Sequence, residues 1–169
     1  MNKKVLLVEN NRSDEKLTVL AFRNCGVSNE IVVERDGAAA LDYLFGTGKH
    51  AARAMPDLPA VVLLDLELPK IGGFDVLKRI RENPRTKLVP VIVLTASEQN
   101  EDVIRSYSLG ANAYLRRPAD FAVFSEAARA LSQFWLILNE LAPPPVNARA
   151  FLFADAKAPR RTRKSGAGR

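Results

Sequence analysis

The sequence has almost no cysteine and no long apolar run. Its one cysteine, Cys25, excludes an internal disulfide and fits a protein of the reducing cytoplasm. Apolar runs reach only five or six residues, too few for a membrane span, and the run behind the two N-terminal lysines is too short for a signal peptide. We therefore expect a cytoplasmic protein with no membrane contact, in which Cys25 is a buried, inert thiol.

Acidic residues are nearly absent from the end of the chain, so the net positive charge of the protein is concentrated there. Residues 143–169 hold seven basic side chains and one acidic one, which accounts for the whole net charge of +6. The tail could bind nucleic acid or an anionic membrane. Residues 157–169, which hold most of this charge, have no interleaved aromatic residues, and no helix-turn-helix precedes them, so we interpret them as a solubilising tail and do not expect nucleic-acid binding. His50, the only histidine, is expected to be a solvated loop residue.

What the chain does have is a regular alternation of short apolar runs with helical segments. The runs have strand length, and the segments between them repeat apolar residues with the period of a helix. The runs are VLLV from Val5, IVV from Ile31, AVVLL from Ala60, VPVIVL from Val89 and AYL from Ala113. This pattern predicts an α/β fold, a doubly wound (βα)₅ parallel sheet covered on both faces. Ser13 and Asp14 are expected to cap the first helix.

The end of the chain divides into three predicted parts. A domain over residues 1–142 closes with a long helix from about Asp120 to Leu141, a Pro-rich arm follows over 143–158, and a basic disordered tail covers 159–169. The last helix contains FWLIL, which is apolar on every side, and such a helix is buried on every side. We therefore predict a homodimer formed through Phe134, Trp135 and Leu138 and through the arm. The alternative is that these residues cover the domain's own sheet.

Polar residues follow four of the predicted strands. Glu9 and Asn10 follow the first, Asp65 the third, Thr95 closes the fourth, and Arg117 follows the fifth. In a parallel sheet of order 2-1-3-4-5 these positions meet at one edge, where such folds bind ligands. Oxygen ligands with few carboxylates suit Mg²⁺, which keeps several waters and bridges to phosphate.

This constellation resembles the receiver domain of two-component response regulators. The resemblance lies in LLVENN, LLDLELPKIGGFDVL, VIVLTAS and GANAYLRRP, with thirty residues from Asp65 to Thr95 and twenty-two from Thr95 to Arg117. The segment LFGTGKH and the FWL of the last helix look like the stand-alone regulators paired with bacterial phytochromes. The family's fold is the flavodoxin-like (βα)₅ sandwich.

The resemblance implies a role for each of these residues. Asp65 would be the phosphoacceptor, receiving its phosphoryl group from a histidine kinase or phosphotransfer protein, so the chain would be a signalling protein and not an enzyme in the usual sense. Thr95 and Tyr114 would form the switch, Arg117 would stand in the place of the family's lysine, and Mg²⁺ would be held by Glu9, Asn10, Asp65 and the backbone carbonyl of Glu67.

Two of these positions depart from the family. Asn10 replaces an aspartate that ligates the metal, so we expect weaker Mg²⁺ binding. Arg117 replaces lysine, and a planar, bidentate guanidinium is not equivalent to a compact ammonium. The departures leave a second hypothesis open, a phosphorylation-independent receiver that acts as a protein-binding module. A phosphatase of the haloacid type is a poorer match, because its second aspartate would fall at Glu67.

Overall fold

The computed structural model describes residues 3–26, 28–52 and 58–143. Five strands form one parallel sheet in the order β2-β1-β3-β4-β5, as predicted. The strands are β1 (Val5–Val8), β2 (Ile31–Glu34), β3 (Val61–Leu64), β4 (Val91–Thr95) and β5 (Ala113–Arg116). The helices are α1 (Arg12–Asn24), α2 (Gly37–Phe45), α3 (Gly73–Glu82), α4 (Asn100–Ser108) and α5 (Phe121–Ser132), with a 3₁₀ turn at Gly48–His50 and a π-helix at Gln133–Leu138.

Alternate residues of the central strands enter two separate cores. In β1, Leu6 and Val8 pack with α2 and α3 on one face of the sheet. Val5 and Leu7 pack with α1 and α5 on the other face. Successive side chains of a strand point to opposite faces, so this division follows directly from the continuous apolar runs. The prediction that both faces are covered is confirmed.

The first helix is capped differently from the prediction. The side chain of Asn11 accepts hydrogen bonds from the backbone N–H groups of Ser13 and Asp14, at 2.9 and 3.2 Å. Asn11 is therefore the N-cap, and the expectation that Ser13 and Asp14 cap the helix was wrong. Because the carboxylate of Asp14 is not needed as a cap, it is left for another contact.

His50 also differs from its prediction as a solvated loop residue. Its Nε2 lies 2.8 Å from Oε1 of the buried Glu34, and its ring meets the edge of Tyr43 at a centroid distance of 5.1 Å. Lys49 pairs with the same carboxylate. The 3₁₀ turn is thus attached to the end of β2 by the ion pair of Lys49 and the hydrogen bond of His50, which both satisfy the buried carboxylate of Glu34.

The last helix is partly core and partly exposed. Phe124 and Ala128 are buried in the core formed with α1, and Trp135 packs partly buried against it. Within the described part of the chain, Phe121–Leu138 is the one helical stretch long and apolar enough to cross a membrane, by length and composition only. A single such helix is weak evidence for a membrane span, and one side of this helix packs into the domain's own core. The predicted arm from residue 144 and the basic tail lie outside the described residues.

Candidate functional site

The carboxyl ends of β1, β3, β4 and β5 surround one cavity of about 170 Å³. Its lining consists of polar and charged residues with one alanine: Glu9, Asn10, Asn11, Asp14, Asp65, Glu67, Thr95, Ala96 and Arg117. Residues from five separate segments therefore meet because the strands are parallel and their ends share one edge. The structure brings together the residues that the sequence analysis placed here, and adds Asn11, Asp14 and Ala96.

Asp65 stands directly after β3 at the floor of the cavity. Asp65 is only 8% exposed, and its Oδ1 accepts a hydrogen bond of 2.8 Å from the backbone N–H of Leu66. No hydrogen bond to Oδ2 is made by the described residues. One oxygen is thus fixed by the backbone while the other is available for chemistry.

Arg117 joins two carboxylates across the cavity. One terminal nitrogen lies 2.5 Å from Oε2 of Glu9, and the other lies 2.7 Å from Oδ2 of Asp14. Among the described residues these are its ion pairs, and none links it to Asp65. Its Nε is buried and has no hydrogen-bond partner there. An unpartnered buried donor costs about 1–3 kcal/mol, so donating this N–H to a ligand oxygen would bring a net gain in free energy.

Glu9 is a buried carboxylate whose charge is balanced on several sides. It is 1% exposed, and its Oε1 accepts a hydrogen bond of 2.9 Å from the backbone N–H of Asn11. Burial raises the pKa of Glu9 above its ordinary value, and the nearby charge of Asp65 raises it too. The hydrogen bond from Asn11 and the charge of Arg117 act in the opposite direction. The balance makes Glu9 sensitive to the loss of its cation.

Asp14 is the charged residue that the sequence analysis did not assign to the site. The sequence analysis assigned Glu9 and Asp65 to this rim, with Glu67 through its backbone carbonyl, and Asp14 adds a further carboxylate. The signal was present: the first turn of a helix that directly follows a strand lies beside that strand's carboxyl end. An acidic residue in that turn is thus a candidate for the same cavity.

The oxygen donors of the cavity fit a divalent cation with few protein ligands. No group of three or more His, Cys, Asp or Glu side chains comes together as a metal cluster in residues 3–26, 28–52 and 58–143. Glu9 and Asp14 are engaged by Arg117, which leaves Asp65, the exposed Asn10 and the loop of Glu67. This set suits Mg²⁺, which accepts one or two carboxylates and keeps several waters.

Thr95 and Tyr114 lie on the neighbouring strands β4 and β5. Thr95 is buried, and its Oγ1 accepts a hydrogen bond of 3.4 Å from the backbone N–H of Ser97. The hydroxyl of Tyr114 donates to the carbonyl oxygen of Ser97, also at 3.4 Å. Burial raises the pKa of Tyr114, so the donor remains protonated at neutral pH. Both side chains therefore contact the same loop after β4.

The site and fold agree with comparisons to known proteins. Residues 5–129 match the family described as the response regulator receiver domain. The chain is 38% identical over 143 residues to the probable methanogenesis regulatory protein FilR2 of Methanothrix harundinacea (strain 6Ac), covering 83% of this chain and 88% of that protein. It is 37% identical over 134 residues to response regulator Rcp1 of Synechocystis sp. (strain ATCC 27184 / PCC 6803 / Kazusa), covering 79% and 89%.

Solved structures give the same result. The phosphorylated cyanobacterial phytochrome response regulator RcpA superposes with a TM-score of 0.78 at 36% identity, covering 85% of this chain and 100% of that one. The Mn(2+)-bound form of Rcp1 superposes with a TM-score of 0.76 at 35% identity, covering 83% and 99%. The chain belongs to the response regulator receiver domain family.

Proposed function

We propose that Asp65 accepts a phosphoryl group from the phosphohistidine of a histidine kinase or phosphotransfer protein. The observation that carries this proposal is a buried carboxylate, with one oxygen fixed and one free, in a cavity shared with Arg117 and Thr95. A bond forms between Oδ2 and phosphorus while the phosphorus–nitrogen bond breaks, and the imidazole nitrogen keeps the electron pair. Signalling by phosphorylation is the standard function of this family.

The residues around Asp65 have distinct tasks in this reaction. Arg117 supplies a permanent positive charge beside the phosphoryl oxygens, and its Nε–H is the donor without a partner. A bound Mg²⁺, held by Asp65, Asn10 and the carbonyl of Glu67, would neutralise charge on the phosphoryl oxygens. Glu9, which was also expected as a metal ligand, has its two oxygens engaged by Asn11 and Arg117 instead. Asn10 contributes an amide oxygen in place of a carboxylate, so we expect weaker metal binding.

The same loop connects the site to a surface. The hydroxyl of Thr95 can donate to a phosphoryl oxygen on Asp65, and doing so draws the loop of Ser97 toward the cavity. Tyr114 is attached to that loop through Ser97 and would move with it. The protein would thus signal through contacts of α4, β5 and α5, acting in the cytoplasm where its one thiol stays reduced.

A second function is favoured by one observation: Arg117 is engaged by Glu9 and Asp14 and not by Asp65. If that arrangement were permanent, the domain would be a phosphorylation-independent module that binds a partner through the same face. The two functions differ in whether Asp65 is ever modified.

Incubation with acetyl phosphate and Mg²⁺ separates them. We expect intact-mass spectrometry to show a gain of one phosphoryl group in the wild type, with acetate as the leaving group, and none in Asp65→Asn. Asp75→Asn, which changes an aspartate in the first turn of α3, is the control and should be modified like the wild type. An unmodified wild type, with no response to beryllofluoride, would favour the constitutive module.

We also propose that the protein forms a homodimer through the last helix. Phe134 and Leu138 are 50% and 73% exposed, and Ile137 between them is equally open. Trp135, predicted as an interface residue, packs against the protein's own core instead, so the interface proposal now depends on its neighbours. Large exposed apolar side chains that lie together indicate a protein contact.

Sizing by light scattering tests the dimer. We expect Phe134→Ser with Leu138→Asn to raise the dimer dissociation constant by about 100-fold or more, because central apolar anchors dominate interfaces. Leu88→Asn, at an exposed leucine outside the last helix, should leave the assembly unchanged. A monomeric wild type at high concentration would contradict the proposal.

A further inference from the structure

Asp14 and Glu15 stand side by side in the first turn of α1, yet they have different partners. Asp14 contacts Arg117 at 2.7 Å and lines the cavity. Glu15 pairs with Arg35 at 2.8 Å, away from the cavity. An acidic residue that only complements the helix dipole would need no such partner in the site. Asp14 therefore makes a contact in the site that its position at the helix N-terminus does not explain.

We propose that Asp14 is a positioning residue for phosphoryl transfer: together with Glu9 it fixes the guanidinium of Arg117 beside Asp65. This inference rests on the proposed function of Asp65. Glu9 and Asp14 each take one terminal nitrogen of Arg117, so the plane and the position of the group are both defined. A planar cation held at two points is pre-organised and loses little freedom when it binds an anion.

The two-point arrangement explains why arginine suits this position. A lysine carries its three N–H donors on one nitrogen, so it could contact both carboxylates only if they approached the same atom, and no plane would be defined. Arginine can contact both carboxylates and still has its Nε–H, which is buried and without a partner in the described residues. The guanidinium has five N–H donors, so donors beyond the two used by Glu9 and Asp14 remain for an oxygen of the phosphoryl group.

The backbone holds Asp14 in place for this task. Asn11 donates its backbone N–H to Glu9 and accepts from the N–H groups of Ser13 and Asp14. The turn between β1 and α1 is thus one hydrogen-bonded unit that carries both carboxylates of the pair. Asp14 also places one negative charge in the cavity, where the family has the charge of an aspartate at the position of Asn10. Relative to the family, one carboxylate is therefore on the helix and not in the turn.

The test is a double-mutant cycle in which the rate of phosphorylation by acetyl phosphate is measured for each variant. We expect Asp14→Asn to slow the reaction on the order of tenfold or more, since a misplaced reacting or stabilising group has effects of this size. In an Arg117→Lys background the same change should alter the rate by less than about twofold, because the two-point contact is already lost. Glu15→Gln is the matched control and should react like the wild type.

A second measurement does not depend on phosphorylation. In ¹H–¹⁵N spectra the Nε–H signal of Arg117, assigned by its loss in Arg117→Lys, should be sharp and protected from solvent exchange in the wild type and in Glu15→Gln. Asp14→Asn should broaden it and speed its exchange.

The outcomes distinguish the two proposals. An unchanged signal in Asp14→Asn, or equal slowing by that change in both backgrounds, would overturn the positioning role. A wild type with a protected Arg117 signal that takes no phosphoryl group would overturn the proposed function of Asp65.

Discussion

Replacing Arg117 by methionine is expected to destabilise the protein by about 3–5 kcal/mol at neutral pH, the usual result of removing one partner from a buried ion pair. Glu9 is buried and would keep a charge that only the backbone N–H of Asn11 then opposes. Asp14 is partly exposed and can be solvated, so the penalty falls on Glu9. The change in unfolding free energy is measured by urea denaturation in metal-free buffer, with the fluorescence of the single tryptophan as the signal.

The effect of Arg117→Met should depend on pH in a defined direction. The charge of Arg117 lowers the pKa of Glu9, so its removal raises that pKa further above the ordinary value of 4.5. A carboxyl with a raised pKa binds its proton more tightly in the folded state, and stability is lost as pH rises through the folded pKa. The destabilisation should therefore shrink as pH falls from neutral toward 4.5.

Two further variants test the cause. Adding Glu9→Gln to Arg117→Met should recover most of the lost stability, because removing both charges leaves no unpaired ion. Arg116→Met, at an exposed arginine that donates to Asn100, should change stability by only about 0.5 kcal/mol. A deficit that is independent of pH, or no recovery with Glu9→Gln, would show that lost packing and not the unpaired charge is responsible.

The order of the sheet and the meeting of Glu9, Asp65, Thr95 and Arg117 could be predicted because both depend on backbone topology. Apolar runs of strand length fix which segments pair, and parallel strands place their carboxyl ends at one edge. The contact of Arg117 with Asp14 could not be obtained in that way. It depends on the rotamers of two side chains 103 positions apart and on Asn11 serving as the cap.

The last helix shows a second limit of sequence patterns. FWLIL is apolar throughout, but the turn changes from α to π geometry at Gln133, which alters the side of the helix that each residue faces. Trp135 therefore reaches the core while Phe134 and Leu138 do not. An apolar run with no period predicts burial of the segment, and only the geometry of the turn assigns individual residues.

Replacing Gly73 by alanine should also destabilise the protein strongly, because the new methyl group would meet backbone atoms beside the proposed phosphoacceptor. An ideal Cβ at Gly73 would lie 2.3 Å from the carbonyl oxygen of Asp65 and 2.7 Å from Cα of Leu66. Neither atom can rotate away as a flexible side chain could, so the loop or the start of α3 must shift. We expect a loss of about 3 kcal/mol, at the upper end of overpacking effects.

Gly72→Ala is the matched control, because a Cβ at the neighbouring Gly72 would meet nothing within 4 Å. As an N-cap it should change stability by about 1 kcal/mol at most. Gly73→Ala should also slow phosphorylation, since a shift of Leu66 displaces the N–H that fixes Oδ1 of Asp65. The contrary result is equal stability and equal phosphorylation of the two variants. It would mean that the loop after β3 shifts at little cost in free energy. The backbone at Asp65 would then not be the rigid support that the close approach of α3 indicates.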